Sequence, residues 1–568
     1  MNRDIVLAIS LSFLVLLASR YLLEPYITPV ELDPAVDQVD QMGQTELPSK
    51  TLLERARRPP PASFVAKHPG SKTAQKEQLY SVETDLFKLS VSNRGAVVKE
   101  WVLKNYLDDS DAPLNLIDQS QLGGFPLALR IDTEPEVSSR LATALFHSES
   151  PLKVKLSQGG ARSRSLKFEY AAGRVRVLKE LTFTAGSYEV MVDCAVFMDS
   201  RPVEHFLLWQ GGFGDATLKN TWAKRQIVYQ SQEDINRLEV GDLESQQVME
   251  GRFDFLGVED HYFAAVFLPS NASGIQRIYM ARDSGATGED GEEFFLKVGA
   301  YSSATEAGIR LFVGPKDTKI LPDELGDLID YGWFAFLCKP LFYGLTWIYS
   351  VVGNYGLAIM ILTIFINAAL FPLRYKSVVS SQKMQKVQPK MKAIQEKYKK
   401  LKSTDPKKQN MNSEMMALYK EHGVNPLGGC LPLILQMPFL FAFYNLLNVA
   451  IELRQAPFFW WIQDLSAPDP PPWILPLLMV ASMVLMQKMT PMPSADPLQA
   501  KMMMFMPLIF GFMMAAQSSG LVLYWLTSNL VNILQQLGMN RYGPIARNKT
   551  EAKAPLRKGK KGKPRLLK

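Results

Sequence analysis

Residues 361–376 read ILTIFINAALFPLRYK. The run is apolar enough to cross lipid, yet it holds an amide, Asn367, at its middle and Pro372 and Arg374 near its end. Polar groups at membrane depth are costly and need a partner or a role. The rest of the chain has to supply one of the two.

The charge distribution divides the 568 residues into two parts. Residues 1–350 hold 47 acidic and 36 basic side chains, a net of −11, whereas 351–568 hold 9 and 27, a net of +18. The basic part is also where long apolar runs cluster, so two environments and a membrane protein are implied. Cys194, Cys338 and Cys430 are odd in number and far apart, which indicates neither a disulfide framework nor a metal knuckle. The five histidines show no paired spacing such as HExxH, so the pattern contains no zinc signature.

The opening stretch IVLAISLSFLVLLAS (5–19) reads as an uncleaved membrane anchor within residues 1–26, because Arg20 stands where a cleavage site needs small residues. Residues 27–79 are rich in Pro, Gln, Asp and Lys and read as a disordered tether. Beyond them the apolar period becomes two. Tyr188, Val190, Val192, Cys194, Val196 and Met198 alternate with polar or small residues, and Val175, Val177, Leu181 and Phe183 share another phase. A β-sandwich over 80–324 is the economical reading.

Residues 325–350 include YGWFAFLCKPLFYGLTWIYS (331–350), with Lys339-Pro340 at its centre and aromatic residues on both flanks. If this segment crossed, the Lys-rich loop after residue 375 would end up outside, against the positive-inside rule, so it reads as an amphipathic helix in the outer interface. Five spans follow, at about 354–373, 427–447, 473–489, 502–517 and 521–537, within a helical core over 351–540. The loop 376–426, with 12 Lys against 4 acids, and the tail 541–568, with 11 Lys or Arg against one Glu, belong on the cytoplasmic side. The last three spans have 16 or 17 residues, roughly 25 Å against a hydrocarbon core of ~30 Å, which predicts a thinned bilayer. With the anchor there are six spans.

Met384, Val387, Met391, Ile394, Tyr398 and Leu401 follow a 3-4-3-4-3 spacing, and Met411, Met415 and Leu418 continue it after the turn at Ser403–Pro406. This predicts a helical hairpin over 376–423, with a kink at Pro389.

No GxxxxGK[ST], GxSxG or intramembrane Ser/His or Asp/Asp pair is present, so the sequence offers no site for nucleotide hydrolysis or proteolysis, and no cofactor is expected. What the spans hold is neutral polarity: Thr363, Asn367, Gln436, Gln517, Asn529, Asn532 and Gln536. Two readings are open. The groups either bond helix to helix, at about 0.6 kcal/mol per contact, or line a wet indentation. The methionines at 502–504, 506, 513 and 514, and the Met437-Pro438 break, suit a surface that repacks around varied apolar partners or a plain core filling.

Here the sequence becomes specific. NPLGGCLPLILQMPFLFAFY (425–444), ELRQAPFFWWIQDLSAPDP (452–470), DPLQAKMMMFMP (496–507) and SGLVLYWLTSNLVNILQQ (519–536) resemble the YidC family of bacterial membrane protein insertases. The resemblance covers essentially the whole chain and is strongest from 354 to 537. It implies a multi-pass α-helical inner-membrane protein of six spans, with a periplasmic β-sandwich and a cytoplasmic hairpin. It implies a non-enzymatic inserter and chaperone for nascent membrane proteins, acting alone or with the Sec translocon, without metal or cofactor.

By the same resemblance Thr363, Asn367 and Gln436 would line a hydrophilic groove, and Met437, Pro438, Phe505, Met514, Tyr524 and Trp525 would form a slide into lipid; Arg374, i+7 from Asn367 and ~10 Å nearer the cytoplasm, is either a positive charge at the groove mouth or an ordinary positive-inside flank that snorkels to the headgroups. The family usually has an arginine where this chain has Asn367. The Lys-rich hairpin and basic tail would meet the ribosome, nascent chains or anionic lipid. A small-solute transporter or channel using the same polar groove is the alternative; the absence of an inner-span carboxylate and of an inverted repeat argues against it.

Overall fold

A computed structural model describes residues 71–542 apart from 119–123, 216–224, 233, 244–245, 285–293, 303–307, 399–406, 424–430 and 490–496. The anchor, most of the tether, Leu401, Cys430 and the tail from 543 lie outside the described residues. The chain forms two compact units that divide between Asp330 and Tyr331.

The first unit is β-rich. Leu79–Glu83, Phe87–Ser92, Val97–Leu107, Pro113–Asn115 and Lys153–Lys155 make one sheet, and a larger, mostly antiparallel sheet contains Val175–Thr184, Glu189–Met198, His205–Trp209, Gln247–Glu259 and Ile309–Pro315. Residues of both sheets share one core, in which Trp101 of the smaller sheet lies 6.4 Å from Trp209 of the larger. The alternation seen in the sequence sets the register: Val190 stands opposite Phe183 and Val196 opposite Val177, all buried. A strand with one buried face cannot slip by a residue without exposing that whole set.

Lys179 falls in the same inward phase as Val177 and Leu181 and is fully buried. Its ammonium donates to the carbonyls of Ala96 at 2.9 Å and Leu127 at 2.7 Å, and burial pulls its pKa down to about 8. Carbonyl oxygens thus replace the water that a cation needs.

The C-terminal stretch of this unit is fastened to the sheet. Leu325 and Leu328 enter the core, Arg310 pairs with Glu324 at 2.9 Å, and Arg237 donates to the Leu328 carbonyl at 2.9 Å. Behind them the buried carboxylate of Glu259 accepts from Arg237 at 2.9 Å, Lys316 at 3.0 Å and Gln226 at 2.7 Å. Burial alone would raise its pKa, but Lys316 and Arg237 outweigh that and hold it below the ordinary carboxylate value.

The second unit is helical. Helix α1 (Ala335–Val352) ends at Gly353, whose φ of +68° is the left-handed cap that glycine adopts freely. Asn354 then caps the next helix through Oδ1 and the Leu357 amide at 3.0 Å, so the chain reverses within two residues. Trp333, Phe336, Tyr343, Trp347 and Val351 form the exposed side of this segment, while Cys338, Leu341, Phe342, Leu345 and Ile348 are buried.

Helix α2 (Tyr355–Tyr398) runs for 44 residues without a break across Pro372 and Pro389, about 66 Å at 1.5 Å per residue. Its first part is the apolar run that opened the sequence reading; its second part is the first arm of the hairpin. One continuous helix therefore carries both Asn367 and the hairpin seam. Helix α3 (Lys407–Glu421) closes that seam: Met384, Val387, Met391, Met415, Leu418 and Tyr419 are buried together, and Glu414 accepts from Lys397 and Tyr398, each at 2.8 Å. Lys383, Lys386, Lys390 and Lys392 stay exposed.

Helices α4 (Leu431–Val449), α5 (Ile474–Met489), α6 (Pro497–Met514) and α7 (Ser519–Tyr542) follow. Helix α5, with 16 residues, is as short as expected, whereas α7 has 24. The expected span of 521–537 already contains Asn529, Asn532 and Gln536, all buried in the unit; the helix begins two residues earlier, at Ser519, and runs on through 538–542, where Met539 is buried.

Candidate functional site

The sequence-selected polar residues meet in part. Asn367 on α2 is 8% exposed; its Nδ2 donates to the Thr363 carbonyl at 2.8 Å and its Oδ1 accepts from Ser528 of α7 at 3.4 Å. Gln436 on α4 donates to the same Ser528 hydroxyl at 2.7 Å. Ser528 is thus the node at which three helices join. Thr363 is fully buried, and its hydroxyl bonds the Ile359 carbonyl of its own helix at 2.6 Å. Lower on α7, Asn529 donates to Ser482 of α5 at 3.0 Å, while Gln535 reaches the Asn367 carbonyl at 3.3 Å.

Two acceptors in this layer, Asn532 Oδ1 and Gln535 Oε1, are buried and have no donor among the described residues. These spare acceptors are free to take hydrogen-bond donors. Arg374 does not join the node. It is half-buried, and its Nη2 lies 3.9 Å from Met486 Sδ on α5.

A loop packs against one end of the helical unit. The loop 452–473 meets the first turns of α2, α5 and α7: Asn354 Nδ2 donates to the carbonyls of Pro457 at 3.3 Å and Phe458 at 3.1 Å, and Ser519 N donates to Ala467 O at 2.7 Å. Asp469, itself buried, accepts from the Leu475 amide and the Trp461 indole, each at 2.9 Å. Gly356 lets the loop seat on α2, since a Cβ there would fall inside the Phe458 ring. Gly356→Leu should therefore displace the loop and lower stability by about 1–3 kcal/mol, as overpacking does. A thermal melt of the detergent-solubilised protein unchanged from the parent would contradict this seating.

The residues assigned to the slide separate into two groups. Phe505 on α6 is 51% exposed, next to exposed Met502, Leu508, Ile509 and Phe512, and Met437, Pro438 and Trp525 are half-buried. Met514 and Tyr524 face inward; Tyr524 is 1% exposed and stacks on Phe443 at 4.3 Å. Trp525 packs beside Phe510, ring centroids 4.6 Å apart.

Ser528, Ser482 and Asn354 escaped the sequence reading because small hydroxyls and helix-edge amides look like ordinary packing and capping groups. The available signal was the run Thr527-Ser528-Asn529 in the middle of an apolar helix.

Residues 347–547 match the family described as the 60Kd inner membrane protein, and residues 79–344 match the YidC periplasmic domain. The membrane protein insertase YidC of Syntrophus aciditrophicus (strain SB) is 36% identical over 481 residues, spanning 82% of this chain and 86% of that protein. The chain belongs to the YidC family. The YidC of Nitratidesulfovibrio vulgaris (strain DP4) is 32% identical over 563 residues, spanning 94% and 98% of the two chains. Among solved structures, an active YidC insertase with its first transmembrane domain resolved aligns over 82% of this chain and 93% of that one, at 19% identity and a TM-score of 0.35. The match to the YidC periplasmic domain covers the β-rich unit and runs on to residue 344 in α1, and the match over 347–547 falls on the helical unit.

Proposed function

We propose that this chain inserts nascent proteins into the bacterial inner membrane by receiving their polar segments at the layer formed by α2, α4 and α7 while their hydrophobic segments pass into lipid. Membership of the insertase family supports the activity, and the three-helix node at Ser528 supports its place. Moving polar chain through hydrocarbon with its groups unpaired is costly; a half-depth polar layer shortens the dry path. No chemical step is needed, and the protein is not an enzyme.

In this reading α2, α4, α5, α6 and α7 cross the membrane together with the N-terminal anchor, α1 lies in the outer interface, the β-rich unit is periplasmic, and the hairpin and tail are cytoplasmic. Thr363, Asn367 and Gln436 belong to the groove and Arg374 to its mouth. Phe505, Met437, Pro438 and Trp525 form the slide, backed by Met514 and Tyr524. The exposed lysines of α2 and the basic tail would meet ribosomal RNA, nascent chains or anionic lipid, and the Sec translocon would act as a partner for larger clients.

Purified protein in vesicles should insert a single-span client above the level of protein-free vesicles; equal levels would sink the proposal. Within that assay, Asn367→Arg should retain insertion and raise the ratio of acidic-tailed to neutral-tailed clients inserted. An unchanged ratio would remove charge attraction at the layer, and loss of all insertion would mark Asn367 as a sealed helix contact.

A further inference from the structure

The loop packed against one end of the helical unit has a second face. Ile462 and Leu465 point into the unit and the Trp461 indole bonds Asp469, while Phe459, Trp460 and Trp473 point away from it. Trp460 is 83% exposed and Trp473 51%. Both hold positive φ, 38° and 56°, a backbone conformation that L side chains rarely adopt. In both, the indole so held lies outside the fold.

We propose that Phe459, Trp460 and Trp473 form a lipid anchor that seats this loop in the interfacial zone of the bilayer and so fixes the depth of the polar layer. The proposal rests on reading α4 and α5 as membrane spans. The loop leaves one and enters the other, and Trp473 immediately precedes α5, its carbonyl accepting from the Leu477 amide at 3.1 Å. Its exposed face therefore lies where helices emerge from hydrocarbon.

The chemistry of that face fits this zone. An indole offers an apolar body and one N–H, the combination that concentrates at the boundary between headgroups and acyl chains. Residues 448–473 contain no lysine and three acids, so attraction to anionic headgroups is not the basis of the contact. Burial of aromatic surface is. The hydrogen bonds from the loop to the starts of α2, α5 and α7 transmit that depth to three helices at once.

The test uses the full chain in vesicles of phosphatidylcholine and phosphatidylglycerol, with the phosphatidylcholine brominated either high on the acyl chain or near its end. Subtracting the emission of Trp460→Phe, and separately Trp473→Phe, from that of the unaltered protein isolates each indole. Each component should be blue-shifted and lose more intensity to the shallow bromines than to the deep ones, with little loss to aqueous iodide. Quenching by iodide alone would place the indoles in water and overturn the anchor; quenching by neither would place them against protein and overturn it equally. Insertion measured on the same vesicles separates the two readings. Lipid quenching without insertion would fail the proposed function and leave the anchor, and insertion without lipid quenching would do the reverse.

Discussion

Glu259→Ala should destabilise the β-rich unit by about 3–5 kcal/mol, the usual cost of removing one partner from a buried ion pair. The carboxylate is fully buried, and Arg237 and Lys316 lie within 3.0 Å of it on a half-buried and a nearly closed site. Truncation leaves Lys316 and Arg237 facing each other, with the exposed Asp330, 3.9 Å from Arg237, as a remaining counter-charge. It also releases Gln226 and loosens Arg237, which holds the Leu328 carbonyl on the stretch leading to the helical unit. Urea unfolding followed by the β-sheet circular dichroism reads the effect directly, and a shift below about 1 kcal/mol, the level of a surface pair, would show that the cluster is solvated.

The pH dependence has a fixed sign. Because the folded pKa of Glu259 is depressed, its stabilisation is fully present above the ordinary carboxylate value near 4.5 and is lost as pH falls through the lowered one. Glu259→Gln should flatten that acidic limb.

Ser528→Leu should reduce insertion by roughly tenfold, equivalent to ~1.4 kcal/mol, with the β-rich unit untouched. The hydroxyl is the only group among the described residues bonded to both Asn367 and Gln436, and a leucine there fills the node with apolar volume. Ser528→Ala removes the two bonds without adding bulk. Interhelical bonds of this kind contribute about 0.6 kcal/mol each, so alanine should cost near 1 kcal/mol in stability and little in activity. Leu534→Ala, on the exposed side of the same helix, is the control. If leucine and alanine at 528 inserted equally well, the node would be structural glue and the client path would lie elsewhere.

Much of this was legible from residues. The period-two phases around 175–198 specified strands because one face of each is buried, and the 3-4 spacing of Met384, Val387 and Met391 specified the hairpin seam for the same reason on a helix. Lys179 illustrates the limit: it occupies an inward position that an apolar count passes over, and only the approach of two carbonyls from elsewhere in the chain makes that position tenable. The continuity of α2 was likewise hidden. Pro372 and the change from apolar to basic composition look like a boundary, yet the helix continues through the proline.

At the site, the sequence supplied Asn367 and Gln436 but not the atom that joins them. Serine at a helix contact is common, and no spacing rule distinguishes a node from a neighbour. The exposure of the residues expected to form a slide was less legible still. Phe505 and Tyr524 look alike in an apolar run, and only packing assigns one to the surface and the other to the stack on Phe443.

Photocrosslinking from defined positions to a ribosome-stalled membrane protein tests the central claim most directly. A photoreactive residue at Met437 or Phe505 should capture the hydrophobic segment of the client, and one at Gln436 its polar flank, while one at the exposed Trp333 just before α1 should capture neither. Capture from position 333 with none from 436, 437 or 505 would contradict the account.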